Sequence, residues 1–395
     1  MNFWTLFRFE CKKLFRKKLV WACLAVMVVM SVLTGWLSNR SYHSFDGIEI
    51  SSEEYQRLTQ ESQLALAGRT IDETLMQEML ESKRIVDSMQ LNSYEDVESF
   101  LLGHQGYVDV NTWVKQILGE VPESLTATQV YDARIALQEE IWEEAGLSEG
   151  EKDWWRKQES QVEKPFVYDK TSTWENLSGI IYSINIMGIL MLGVCLPGIF
   201  SDEHTRRTDQ LNLAAPFGRK LCSVKLLVGA LFGFGSFILF LVCGAVPAVL
   251  VYGTEGFQAA VQLMLPDYAM KLTMGQLVLI MSGLLLASSV VCSIFAMVMA
   301  EVLHSGIAAT ALMVAVVLAA DMLPIPYSVR WLEEVVSYLP SQLVTAWEVL
   351  DVRLFPWFGT YLTPWQAGPI LWAVAAVLLT LLGRRAYCRY QISGR

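Results

Sequence analysis

The 395-residue chain is 53% apolar and carries a formal net charge of −10, a balance open to a large soluble protein or an integral membrane protein until the charges are placed. Their placement excludes the first class. Stretches without Asp, Glu, Lys or Arg run over 19–37, 177–201, 226–254, 272–300, 302–320 and 354–383, each close to or above the ~20 residues that cross ~30 Å of hydrocarbon. A central Asp, Lys or Arg would cost roughly 2.5–3.5 kcal/mol, so six clean runs predict six transmembrane helices in an all-α polytopic membrane protein.

Residues 1–18 precede the first run. At about 100° per residue, Phe3, Trp4, Leu6, Phe7, Cys11, Leu14 and Phe15 share one arc, with Arg8, Lys12, Lys13 and Arg16 opposite. The pattern predicts an interfacial helix along the inner leaflet, its bases toward anionic headgroups. Glu10 falls inside the apolar arc, where either Lys13 neutralises it one turn on or it meets a protein partner. The first span, 19–37, is long for a signal-peptide core and no small-x-small cleavage site is evident, so it reads as a retained helix.

Residues 38–176 hold 28 acidic and 12 basic side chains, a concentration of charge that marks one soluble domain. Thr126 and Gln129 make a capping box before a helix to Leu147, with Val130, Leu137, Ile141 and Ala145 on one stripe. A second helix is expected over 71–89 with Leu75, Met79 and Val86 inward. Neither segment alternates as a strand does, so the domain is predicted mostly helical. Ser148 with Glu151 and Ser172 with Glu175 form further boxes, the latter opening the second span at 177–200. A loop at 201–221 follows, its Ser201 expected to cap a short helix and Pro216 to stop it. Four more spans fill 222–385, and 386–395 is a tail. Between them, 323–365 carries Trp331, Tyr338, Trp347, Trp357, Tyr361 and Trp365 with several prolines. Such rings settle at headgroup level, in short amphipathic or re-entrant helices.

Lys and Arg collect on the cytoplasmic flanks of membrane helices. With the N-terminus inside, the inner segments hold Arg8 to Lys18, then Arg206, Arg207, Arg219, Lys220 and Lys225, then Arg384, Arg385, Arg389 and Arg395. The outer edges keep Lys271, Arg330 and Arg353. Both termini are therefore expected in the cytoplasm and 38–176 outside. All seven cysteines fall in spans or inner segments, which excludes a disulfide-stapled exterior and fits a bacterial plasma membrane.

Catalysis within a membrane needs ionisable groups at depth, and the spans offer mainly Asn185 and the serines Ser282, Ser288 and Ser289. No HExxH occurs, and Asp202-Glu203-His204 and Glu301-Val302-Leu303-His304 fall at inner boundaries where charge is expected without any metal. No Gly-Lys pair exists for a P-loop, and Leu147-Ser148-Glu149-Gly150-Glu151 is a helix start. Gly229-x-x-x-Gly233 offers a close helix contact. No catalytic residue, cofactor or metal is expected in this chain, nor any nucleic-acid partner.

The order of interfacial helix, span, outer domain, span and inner loop, with Glu10 before a basic cluster and then Glu203, Arg207-Thr208, Pro216-x-x-Arg219 and Lys225, resembles the permease subunits of type-2 ABC transporters. In that family an acidic residue, a Gly-Thr or similar pair, a Pro-x-x-Arg turn and a later Lys link the second and third spans; Arg207 stands here where Gly is frequent. The resemblance implies an exporter half in which two permease chains pair and each docks on a separate ATPase that binds ATP and Mg. It gives Glu10, Glu203, Arg206, Arg207, Thr208, Pro216, Arg219 and Lys225 a role in coupling. The outer domain and aromatic edges suit a peptide, antibiotic or lipid-like substrate. The alternative from the residues alone is a membrane sensor or scaffold whose outer domain binds a ligand.

Overall fold

The computed structural model describes residues 3–37, 42–45, 47–206, 218–322 and 330–389. Helix α1 (Phe3–Phe15) turns at Lys17 into α2 (Lys18–Leu37). A hairpin of β1 (Tyr42–Phe45) and β2 (Ile48–Ser51) then leads into five helices: α3 (Ser52–Leu66), α4 (Glu73–Ser88), α5 (Tyr94–Leu118), α6 (Ala127–Glu144) and α7 (Glu149–Glu159). The chain enters a long bundle through α8 (Ser172–Cys195) and α9 (Gly198–Arg206), then α10 (Gly218–Tyr252), α11 (Met274–Val302) and α12 (Gly306–Met322). Short α13 (Arg330–Ser337) and α14 (Ala346–Val349) and a hairpin, β3 (Phe355–Trp357) with β4 (Thr360–Leu362), precede α15 (Pro364–Arg389).

Among the described residues, five helical stretches are long and apolar enough to cross a membrane: 18–36, 172–206, 220–252, 274–302 and 364–388. The architecture is that of a helical multi-pass membrane protein. The fifth run becomes α12, whose 17 residues extend roughly 26 Å at ~1.5 Å each, short of the usual crossing length. The last run is also shorter as helix than as sequence, because its first ten residues form the β3–β4 hairpin and Pro364 begins α15. That hairpin was invisible in the pattern: its turn sets both Phe358 (φ 40°) and Gly359 (φ 88°) left-handed, and an aromatic residue does not announce such a turn.

Helix α11 is central, packing against α8, α10, α12 and α15. In lipid, close packing rather than expulsion of water holds such helices together. Gly233 supplies the approach of α10 to α11, since a Cβ there would sit 2.1 Å from Ser293 Oγ and 3.0 Å from the Ser289 carbonyl. A buried polar pin crosses the bundle: Ser288 donates to Asn185 Oδ1 at 2.7 Å, and Asn185 donates to the Pro340 carbonyl at 2.8 Å. It draws the turn after α13 against α8 and α11.

The domain formed by α3–α7 is helical, as its sequence suggests, and the boxes Thr126/Gln129 and Ser148/Glu151 start α6 and α7. The third box is absent. Thr171 occupies the N-cap of α8 without a side-chain cap, and Glu175 instead accepts from the Thr171 hydroxyl. The stripe on α6 is also displaced by a residue: Val130, Arg134, Gln138 and Trp142 are buried, while Leu137, Ile141 and Ala145 are half-buried. Arg134 explains the shift. Its guanidinium donates to Glu159 at 2.6 Å and to the Tyr268 carbonyl at 3.0 Å, and Gln138 donates to Glu159 at 3.0 Å. Burial would raise the Glu159 carboxyl, but the hydrogen bonds and charge of Arg134 hold it below the usual range. With Trp113 donating to the Gln262 carbonyl and Trp155 to that of Val352, the domain is pinned to the loops at one end of the bundle.

Candidate functional site

The opposite end of the bundle gathers charge that the apolar helices otherwise avoid. Helix α1 lies across α10 and touches α2, with Leu6, Glu10 and Leu14 as its buried face. Arg8 and Lys12 are exposed, as are the aromatics Phe3, Trp4 and Phe9. Glu10 therefore faces inward, where burial raises its carboxyl and Lys13, 3.8 Å away, opposes that rise.

After α8, Leu196 and Pro197 interrupt the helix and α9 restarts at Gly198. Ser201 is thus inside α9 rather than its cap, a correction that follows from the break lying four residues earlier, at Pro197. The restart turns Glu203 into the bundle at 5% exposure. Lys13 of α1 donates to Glu203 Oε1 at 2.6 Å, and Lys225 of α10 donates to Oε2. Lys225 is fully buried, with its ammonium 4.7 Å from the centre of the Phe200 ring and 5.8 Å from that of Tyr387 on α15. Carboxylate and aromatic faces together replace the water an ammonium would otherwise hold.

Two further pairs surround this node. Lys17 Nζ lies 2.8 Å from Asp202, in space that a side chain at Gly198 would fill. His204 Nε2 lies 2.8 Å from Glu301 at the end of α11, and its ring is 4.8 Å from that of His304. The two acid-histidine motifs thus meet, yet no group of three metal-ligating side chains occurs among the described residues.

Of the residues singled out from the sequence, Glu10, Glu203 and Lys225 come together inside the chain. All three are buried, and Glu203, shared by Lys13 and Lys225, ties α1, α9 and α10 to one another. Arg206, at the end of α9, is exposed. Arg207, Thr208 and Pro216, together with the side chain of Arg219, lie outside the described residues. Sequence reading missed Lys13, Phe200 and Tyr387 as members of the node. The available signal was an acid and a base, Glu203 and Lys225, each bordering an apolar run at the same membrane boundary.

Comparison with known protein families, with curated proteins and with solved structures gives no match. The meaning of the site rests on its own geometry. That geometry can hold three helices as one mechanical unit, because a carboxylate shared by two ammonium groups relaxes only if both contacts break.

Proposed function

We propose that this chain is the membrane permease subunit of a type-2 ABC transporter, exporting a substrate by ATP hydrolysis in a separate partner chain. In this reading α12 completes six spans, the charged end lies in the cytoplasm with both termini, and the α3–α7 domain stands outside the plasma membrane of a bacterium. Helix α1 rests at the inner headgroups, with Arg8 and Lys12 outward. The observation that carries the reading is the Lys13–Glu203–Lys225 node, which joins an amphipathic N-terminal helix to the loop helix and the third span. A partner pressing on α1 or α9 moves α10 through that node, and α10 moves α11 through the Gly233 contact. Two such chains would pair around the translocation path, each seated on one ATPase.

The test is purification of the chain from its native membrane in mild detergent, followed by mass spectrometry and a nucleotide assay. An ABC ATPase should co-purify, ATP hydrolysis should depend on the complex, and Arg206→Glu should weaken retention of the ATPase. A preparation with no ATPase, and no response to ATP in liposomes, would favour the sensor reading, which the docked outer domain also suits.

A further inference from the structure

Two cavities share a lining residue: the first lies at the end of the bundle that carries the α3–α7 domain, and the second lies among its helices. The first encloses about 660 Å³ between the start of α7, α13, the β3–β4 hairpin and the start of α15. Trp331, Tyr338, Phe355 and Tyr361 give it aromatic walls, and among the described residues its lining carries the carboxylates of Glu334, Asp351 and Glu151, the last engaged by the Ser148 cap, and the base Arg353. That base is engaged: Arg353 donates to Asp351 Oδ2 at 2.8 Å and lies 2.9 Å from Glu333. Glu348 stands near enough to Asp351 for repulsion to add to burial in raising its carboxyl to about 7. The second cavity, about 310 Å³, opens among α8, α11, α12 and α15 and is lined almost wholly by apolar groups such as Val291, Phe295, Val316 and Leu379.

Tyr338 belongs to both walls. Its carbonyl accepts from Trp372 of α15 at 2.8 Å, and its ring meets Phe355 edge-on at 6.1 Å. The polar chamber and the apolar slot therefore have Tyr338 as a common wall residue. Both volumes fall in or above the low end of the ligand-pocket range of about 300–1,000 Å³. Carboxylates in excess beside aromatic faces select an organic cation, and an apolar slot among lipid-facing helices selects a hydrocarbon chain. An anion is disfavoured by the acidic lining, and a small metal cation would leave the slot without a use.

We infer that this paired cavity binds a single-chain amphiphile with a cationic ammonium head, the head against Trp331, Tyr338 and Glu334 and the chain in the slot of Val291, Phe295 and Val316. As a statement of substrate class it rests on the permease reading; as a binding site it stands without it.

The probe is a twelve-carbon alkyl trimethylammonium with a photoreactive diazirine at the chain end, mixed with the full-length protein in phosphatidylcholine nanodiscs. Matched probes carry a sulfate or a maltoside head. After irradiation and peptide mapping, the ammonium probe should label α11, α12 and α15 around the slot saturably, and the other two heads should not compete with it. Glu334→Gln and Trp331→Ala should each weaken labelling about 5- to 10-fold. Ala375→Trp, which fills the slot, should abolish it, with far-UV circular dichroism checking the fold. Equal labelling by all three heads, or labelling unchanged in Glu334→Gln and Trp331→Ala, overturns the proposal, as does absence of labelling in the slot. In proteoliposomes containing the co-purified ATPase, saturable labelling without ATP-driven movement of the probe would leave the site intact and remove the transport reading. ATP-driven export without slot labelling would do the reverse.

Discussion

Replacing Glu203 by Gln removes the shared acceptor of the buried node while keeping its shape. At an effective dielectric of about 20, unit charges 2.6 Å apart, as for Lys13 and Glu203, attract by roughly 6 kcal/mol before desolvation is subtracted. Lys13 retains 31% side-chain exposure and can turn toward water, whereas Lys225 has none. The substitution therefore strands Lys225, and stranding one member of a buried pair costs about 3–5 kcal/mol. Lys225→Met should cost less, on the order of 1–2 kcal/mol, because Glu203 keeps Lys13. Combining the two should recover at least half of the loss from Glu203→Gln, giving a coupling energy of about 2 kcal/mol or more. Lys17→Ala is the contrast, since the Lys17–Asp202 pair is partly exposed and should contribute no more than about 1 kcal/mol. Unfolding in mixed micelles, followed by circular dichroism, measures all four variants. Strict additivity of Glu203→Gln and Lys225→Met, or a Glu203→Gln cost no larger than that of Lys17→Ala, would refute the reasoning.

Gly233→Leu should separate α10 from α11 and lower stability by about 1–3 kcal/mol, seen as a lower midpoint in the same micelle titration. Arg134→Met leaves Glu159 buried beside Lys164 at 2.7 Å, so the α3–α7 domain should loosen and limited proteolysis should cut first between α6 and the bundle. Glu348 gives a pH dependence of known sign. Its folded carboxyl is raised from 4.5 to about 7, so the folded state holds the proton more tightly and stability falls as pH rises through that window. Glu348→Gln should therefore stabilise the protein near pH 8 by up to roughly 3 kcal/mol, less whatever hydration of the half-buried side chain removes, and by little near pH 5. A stabilisation equal at both pH values would contradict the assignment.

Features set by neighbours in sequence were legible, and those set by distant contacts were not. Capping at Thr126 and Ser148 depends on residues three apart, and both boxes form. Ser172 and Glu175 have the same spacing, but Thr171 captures the Glu175 carboxylate and starts α8 one residue early. The stripe on α6 was misplaced because periodicity counts apolar residues, while the fold buries Arg134, which binds loop carbonyls more than a hundred residues away, and Gln138, which binds Glu159. Nothing local to the basic flank of α10 reveals that Lys225 turns inward to Glu203. Gly229 and Gly233, four apart on one helix face, did mark a close contact, with Met297 and Ser293.

Spin labels at Lys12, exposed on α1, in two paired copies test coupling most directly. With the co-purified ATPase and a trapped nucleotide, the distance between the two labels should change from its nucleotide-free value, and Glu203→Gln should abolish that change while ATP still binds. A label distance that is unaltered by nucleotide in the wild-type complex, or a chain that yields no inter-copy distance at all, would contradict a paired permease driven through α1.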